Sequence, residues 1–170
     1  AYAKEHGKLI TYDPNLRKPL WKSLETCKEQ MLWGLSQADV VKISDEEVEF
    51  LFGLAPQEGA RYILKNFGVK LVFVTCGAQG CFVANEKAEG FAPSLTDIKV
   101  VDTTGAGDIF GGSAVSRLLD LNKDIADLTA EDLAFIGCFA TTAASLSTEV
   151  LGGIPSIQDK ETVLERMGSL

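Results

Sequence analysis

The chain has 170 residues and a formal net charge of −8, from 16 Lys and Arg residues against 24 Asp and Glu residues. Hydrophobic residues make up 46% and charged residues 24%, which is typical of a globular protein and excludes a disordered or collagen-like one. The acidic balance argues against nucleic acid as a partner, because its phosphates are bound by basic side chains. The length favours one domain with a single hydrophobic core.

The longest stretch without a charged residue covers 133–148 and contains several Ser and Thr residues. It is too short and too polar to span a bilayer, so it predicts a buried helix and no membrane partner. The four cysteines show no C-x-x-C spacing and His6 is the one histidine, so no zinc site is predicted. This cysteine usage favours a reduced, cytoplasmic setting.

Hydrophobic periodicity predicts alternating strands and helices. A helix end is predicted at 1–6, a strand at 9–12 and a helix at 19–35. The later elements are predicted in this order: a strand at 40–43, helices at 45–52 and 56–66, a strand at 71–75, a hairpin of 81–84 and 90–91, a strand at 99–101, and helices at 106–121, 130–146 and 158–167. This alternation predicts an α/β fold with helices on both faces of a largely parallel sheet and antiparallel strands at one edge.

Polar side chains directly follow four of the predicted strands. They are Asp13, Ser44, Thr75 and Asp102. Ligands of such folds bind at the carboxyl ends of the strands, so these residues are expected to lie on one common rim.

The segment Gly105-Ala106-Gly107-Asp108 follows the predicted strand at 99–101 and begins a helix. Small residues there leave backbone N–H groups open to an anion at the helix N-terminus. A carboxylate in this turn would repel a static phosphate, whereas it could act as a base beside a phosphoryl group in transfer. The alternative is that Asp108 merely complements the helix dipole and that the glycines permit close packing.

The run 102–108, together with Phe110 and Gly112, resembles the C-terminal signature of the ribokinase-like (PfkB) carbohydrate kinases. The segment 75–80 is similar to the nucleotide-phosphate loop of that family, and 42–47 is similar to its N-x-x-E segment, with Ser44 in the usual Asn position. The segment 13–17 resembles fructokinases and 2-keto-3-deoxygluconate kinases. The resemblance spans nearly the whole chain but only the second half of a family member.

The resemblance implies a ribokinase-like three-layer α/β/α fold. Residues 1–170 would be the C-terminal nucleotide-binding and catalytic part of a single domain, with the N-terminal half and the lid absent. The isolated chain is therefore expected to be inactive, and the parent protein is expected to be a homodimer formed through the lid.

The resemblance also implies roles for individual residues. Asp108 would take the proton from the sugar hydroxyl, while the amides of Gly105, Ala106 and Gly107 would hold the transferred phosphoryl group. Four residues would contact the ATP phosphates: Thr75, Gly77, Gly80 and Ser44. Arg17 would meet the substrate or a phosphate, or else be a surface salt-bridge partner. The adenine is expected near Phe139 and the loop before Pro155.

Two cations are implied in the same way. Glu47 would organise Mg²⁺ through water, since that ion prefers oxygen ligands; alternatively it is a solvated charge on a helix. A potassium ion would lie between Asp102 and Thr104 and a late loop. The matching positions in that loop are Ser147, Val150, Gly152 and Ser156.

The implied activity is ATP-dependent phosphorylation of a sugar, with fructose converted to fructose 6-phosphate. The alternative enzyme is a 2-keto-3-deoxygluconate kinase or another PfkB sugar kinase. An alternative of another class is a module that binds nucleotide without catalysis. The implied small-molecule partners are a sugar and ATP.

Overall fold

The computed structural model describes residues 2–168, which form a five-stranded mixed sheet between two layers of helices. The strands β1 (Thr11–Tyr12), β2 (Val40–Ser44) and β3 (Leu71–Thr75) pair in parallel. The strands β4 (Gly80–Asn85) and β5 (Glu89–Pro93) add in antiparallel fashion, in the spatial order β1-β2-β3-β4-β5. The predicted α/β class with an antiparallel hairpin at one edge is confirmed.

Seven α-helices accompany the strands within residues 2–168. They are α1 (Tyr2–Glu5), α2 (Leu24–Leu35), α3 (Asp45–Phe52), α4 (Pro56–Phe67), α5 (Ala106–Leu121), α6 (Ala130–Ser147) and α7 (Lys160–Met167). None of them is both long and apolar enough to cross a membrane. Ala1, the first residue of the helix predicted at 1–6, lies outside the described residues.

The two faces of the sheet are covered by different helices because strand side chains alternate in direction. On β2, Val41 and Ile43 pack in a core with α2, α3 and α4. Val40 packs in a second core with Phe73 and with residues of α5 and α6. The aromatic ring of Phe73 meets that of Phe110 on α5 edge-on, with centroids 5.8 Å apart. This arrangement is the predicted three-layer architecture, and it brings α5 over β2 and β3.

Some predicted elements are absent or shorter in the structure. The strand predicted at 9–12 is confined to Thr11–Tyr12, and the N–H of Ile10 bonds to the Asp39 carboxylate at 3.0 Å. No strand forms at 99–101, where the N–H of Val101 bonds to the carbonyl of Thr148 rather than to a neighbouring strand. The helix predicted at 19–35 begins at Leu24, because Ser23 caps it by accepting from the N–H of Thr26 at 3.1 Å. The last helix begins at 160 instead of 158, because Asp159 caps it in the same way.

Candidate active site

A cleft of about 540 Å³ lies where β1 and β2 end and α5 begins. It is called the rim cleft here. It brings together six of the predicted site residues, namely Arg17, Ser44, Glu47, Gly105, Gly107 and Asp108, and with them Asp13 of the predicted rim. Residues more than ninety positions apart in the chain therefore share one concave surface, as expected for the carboxyl edge of a parallel sheet.

The first turn of α5 has the backbone geometry that the glycines predict. Gly105 is the N-cap with φ of 80°, a left-handed conformation that favours glycine, and no side chain caps the helix there. A Cβ on Gly105 would lie 3.1 Å from the Cα of Gly153, so the late loop passes close to this position and favours a small residue there. The N-terminal N–H groups of α5 thus remain without a side-chain cap, beside the exposed carboxylate of Asp108.

Glu47 is only 5% exposed and uses both carboxylate oxygens for backbone contacts. One oxygen accepts from the N–H of Ser44 at 2.9 Å and completes a capping box, in which the Ser44 hydroxyl accepts from the N–H of Glu47. The other accepts from the N–H of Leu16 at 2.6 Å. Burial raises the pKa of Tyr12, and the negative charge of Glu47 is the second-largest cause of this increase. Glu47 therefore joins the 13–17 segment to the start of α3 and is not a solvated surface charge.

Arg17 is exposed and lines the rim cleft. It directly precedes a short 3₁₀ helix at Lys18–Leu20. Within residues 2–168 it forms no ion pair, whereas eight other basic residues do. The predicted alternative of a surface salt bridge is therefore absent from the described residues, and Arg17 lines the same cleft as Asp108.

The sequence reasoning missed Lys42, which also lines the rim cleft. Its side chain is only 15% exposed, and its ammonium donates to an Oδ of Asp13 at 3.0 Å. A lysine in the middle of a buried strand was the available signal, because lysine is rarely buried without a partner.

The predicted nucleotide residues on β3 and the following turn do not line the rim cleft. Thr75 lies opposite Ser44 in the parallel register of β2 and β3, with its hydroxyl 3.5 Å from the carbonyl of Ile43. Gly77 begins an exposed 3₁₀ turn with φ of 52°. Gly80 is buried, and a Cβ there would lie 2.1 Å from the carbonyl oxygen of Ala92 on β5. Close strand packing by itself accounts for glycine at 80, so its contact with nucleotide stays a prediction.

Asp102 joins the loop before α5 to the late loop. Its carboxylate accepts from the N–H of Thr104 at 2.9 Å and from the N–H of Gly152 at 2.8 Å. Hydrogen bonds from Thr104 and Gly152 lower the pKa of Asp102. These contacts bring together two of the chain segments predicted to hold a cation, 102–104 and the late loop.

The other predicted cation ligands offer oxygen atoms. The Ser147 hydroxyl donates to the carbonyl of Ala144, and the Ser156 hydroxyl donates to that of Gly153. Val150 has no polar side-chain atom, so it can contribute only its carbonyl. No group of three or more His, Cys, Asp and Glu side chains that could hold a metal ion occurs within residues 2–168. Oxygen atoms of these kinds suit a hard monovalent cation better than a transition metal, and the contact between Asp102 and Gly152 joins the two segments directly.

A second concave surface, the α5 groove, runs along α5 away from Asp108. It consists of two adjoining clefts of about 310 Å³ and 200 Å³ that share Ile109, Gly112, Ser113 and Ile157. The near cleft includes Gly105, Asp108 and Ile154, and the far one includes Arg117 and Phe139. The guanidinium of Arg117 covers the ring of Phe139 at 4.6 Å, so this aromatic face is already occupied.

Residues 1–160 match the sequence model of the pfkB family of carbohydrate kinases. The chain belongs to this family. Fructokinase-1 of Zea mays is 39% identical over 165 residues, which are 96% of this chain and 50% of that protein. Fructokinase-1 of Oryza sativa subsp. japonica is 37% identical over 168 residues, 98% of this chain and 51% of that protein. The chain thus spans about half the length of the curated relatives it matches.

Solved structures of pfkB-type kinases have the same fold. A double mutant of the Vibrio cholerae O395 fructokinase, solved with fructose, ADP and potassium ion, superposes with a TM-score of 0.83 at 29% identity. The matched region covers 96% of this chain and 51% of that chain. The ribokinase-like fold predicted from the 102–108 signature is therefore confirmed.

Proposed function

We propose that this chain is the nucleotide-binding and catalytic part of an ATP-dependent sugar kinase that converts fructose to fructose 6-phosphate. The observation that carries the proposal is the position of Asp108 in the first turn of α5, opening onto the same cleft as Arg17 and Glu47. The two curated relatives named above, with 37% and 39% identity, are both fructokinases. One of the matching structures contains fructose and ADP.

The proposed reaction needs one proton acceptor and one anion-binding turn. The carboxylate of Asp108 accepts the proton of the sugar hydroxyl while that oxygen forms its bond to the terminal phosphorus of ATP. The bond from phosphorus to the bridging oxygen breaks, and ADP leaves. The amides of Gly105, Ala106 and Gly107 stabilise charge on the phosphoryl oxygens. Because the transition state is loose, positioning and electrostatics matter more than a strong base.

The nucleotide is proposed to lie along the α5 groove with its terminal phosphate at Asp108. From Asp108 to Arg117 the helix rises about 13–14 Å, at about 1.5 Å per residue, a length comparable with that of an extended nucleoside triphosphate. The adenine would then rest near Ile157 and the Arg117 guanidinium, instead of directly on the ring of Phe139. Ser44 and Thr75 would approach the phosphates from the ends of β2 and β3, and Gly77 and Gly80 from the turn between β3 and β4.

Magnesium would neutralise the phosphate charge, and the residues fit an indirect contact with it. Both Glu47 oxygens already accept backbone N–H groups, so a water-mediated contact suits this carboxylate better than direct ligation. Potassium would be held by the oxygens near Asp102, Thr104 and Gly152. Its proposed effect is to order the loop that leads into α5.

The deciding experiment is a comparison of Asp108→Asn with Glu131→Gln in the protein that carries this chain, with fructose and 2-keto-3-deoxygluconate as substrates. Both substitutions remove a carboxylate from the first turn of a helix, but Glu131 lies at the start of α6. Loss of a general base lowers turnover by about 100-fold to 10,000-fold, so Asp108→Asn should do so while the ATP dissociation constant stays within about threefold. Glu131→Gln should leave turnover unchanged.

Near-normal turnover of Asp108→Asn, with a stability loss of about 0.3–1 kcal/mol matched by Glu131→Gln, would show that Asp108 only complements the helix dipole. Phosphorylation of 2-keto-3-deoxygluconate in preference to fructose would favour the alternative enzyme. ATP binding without transfer to either sugar would favour the non-catalytic module.

The cellular location and the oligomeric state of the protein stay predictions. The four cysteines are free thiols, as a reducing cytoplasm would keep them. Dimer formation through a lid is proposed for the parent protein and is tested by its mass in solution.

A further inference from the structure

Lys42 occupies a position where a buried lysine needs a reason. It lies in β2, and its side chain points to the face covered by α5, because Val40 on that face packs with residues of α5. The side chain is 15% exposed. Its contacts within residues 2–168 include one hydrogen bond from the ammonium, to Asp13, whose own side chain is 28% exposed.

The ammonium of Lys42 lies directly against the first turn of α5. A Cβ on Gly107 would come within 3.1 Å of the Lys42 Nζ, so the absence of a side chain at 107 leaves the space that the ammonium fills. Two positive features, the ammonium and the N-terminal end of a helix, are thereby held side by side. That arrangement favours an anion that contacts both.

We propose that Lys42 is a further catalytic residue, whose ammonium contacts the phosphoryl group during transfer, and that Asp13 positions it. The proposal rests on the kinase function proposed above and deepens it. Lys42 exchanges no proton and no electron pair in the step. The sugar proton still goes to Asp108, and Lys42 stabilises negative charge on the phosphoryl oxygens as the bond to ADP breaks.

The hydrogen-bonding capacity of Lys42 supports this role. An ammonium has three N–H donors. One donates to Asp13, which leaves two for oxygens arriving in the rim cleft. Asp13 follows β1 directly, and its carboxylate also accepts from the N–H of Asn15. This second hydrogen bond holds the carboxylate in place, so that it can orient the Lys42 ammonium. A purely structural ion pair would not require the ammonium to line the same cleft as Asp108.

The test uses Lys42→Met in the protein that carries this chain, with Lys70→Met as the matched control. Lys70 also forms an ion pair with an aspartate at 3.0 Å, Asp39, but at the opposite end of β2 and β3. Measurements are the dissociation constants of ATP and ADP by calorimetry, turnover with fructose, and the melting temperature. If Lys42→Met fails to melt cooperatively, Lys42→Gln replaces it, because glutamine keeps a donor for Asp13.

Contact with the transferred group predicts unequal effects on the two nucleotides. Lys42→Met should weaken ATP binding at least about tenfold and ADP binding less than about threefold, and should lower turnover by about 100-fold or more. Lys70→Met should change none of these values. Asp13→Asn leaves the ammonium in place, so its loss of turnover should be smaller than that of Lys42→Met.

If Lys42→Met weakened ATP and ADP binding equally, or kept the turnover of Lys70→Met, the assignment of Lys42 would be wrong. Phosphorylation of fructose by the unmodified protein would still support the kinase function. A protein that transfers phosphate to no sugar, but whose Lys42→Met variant still loses ATP affinity selectively, would instead remove the kinase function and keep Lys42 as a ligand of the terminal phosphate.

Discussion

The carboxylate of Glu47 accepts a hydrogen bond from the N–H of Leu16 at 2.6 Å, across 31 positions of the chain. The same carboxylate closes the capping box at the start of α3. One buried side chain therefore fixes both the loop that carries Arg17 and the segment that carries Ser44. In this protein a residue predicted for magnesium therefore also holds the part of the rim cleft that Arg17 lines.

Glu47→Ala should lower both stability and sugar binding. The N–H groups of Leu16 and Ser44 lose their acceptor, which costs about 1–3 kcal/mol of unfolding free energy. The loop that carries Arg17 loosens, so the KM for sugar should rise and extra Mg²⁺ should not restore it. Urea unfolding and kinetics at several Mg²⁺ concentrations check both effects. Glu49→Ala, which removes an exposed carboxylate from the same helix, is the control. If added Mg²⁺ fully restored the KM for sugar of Glu47→Ala, Glu47 would act through the metal alone.

The stabilising effect of Asp102 on the folded chain should depend on pH. Its pKa in the folded chain lies below the ordinary value of 3.8, owing to hydrogen bonds from Thr104 and Gly152. Its stabilising effect is therefore complete above pH 3.8 and is lost as the pH falls through the lower folded value. Asp102→Asn should melt below the unmodified protein at pH 6, and the difference should shrink towards pH 3. A difference that stays constant over this range would contradict the prediction.

Potassium should raise turnover relative to sodium or lithium. The oxygens proposed to hold the ion lie in the two segments that Asp102 joins, and one of those segments leads into Gly105. An ion bound there orders the turn that binds the phosphoryl group. Steady-state rates in the three chlorides at equal ionic strength are the measurement. Equal rates in all three salts would remove the potassium site from the proposal.

Local signals made much of this fold predictable. The helices α3 and α5 begin at Asp45 and Ala106, as predicted, because the start of a helix depends on residues within one turn. The strand predicted at 99–101 failed because a strand needs a neighbour, and Val101 finds the end of α6 instead. Contacts between distant segments were beyond the sequence pattern. Neither the Leu16 contact of Glu47 nor the ammonium of Lys42 against Gly107 has a local signature, since each depends on how β1, β2 and α5 pack together.

Gly112→Val should separate the stability of α5 from its use as a nucleotide groove. Gly112 is exposed and shared by both clefts of the groove, and a Cβ on it would meet no atom within 4 Å. Glycine is the poorer helix former by a few tenths of a kcal/mol, so the melting temperature should hold or rise slightly. The added isopropyl group fills the groove, so the KM for ATP should increase at least about tenfold.

Gly111→Val is the matched control, because Gly111 is the adjacent residue of α5, also has free space at Cβ, and lines neither cleft of the groove. Its melting temperature should change as that of Gly112→Val does, while its KM for ATP stays within about twofold of the unmodified value. The difference between the two variants then reports occupation of the groove and not a change in the helix. Equal values of KM for both would place the nucleotide away from α5, and the adenine position proposed near Ile157 and Arg117 would have to be abandoned.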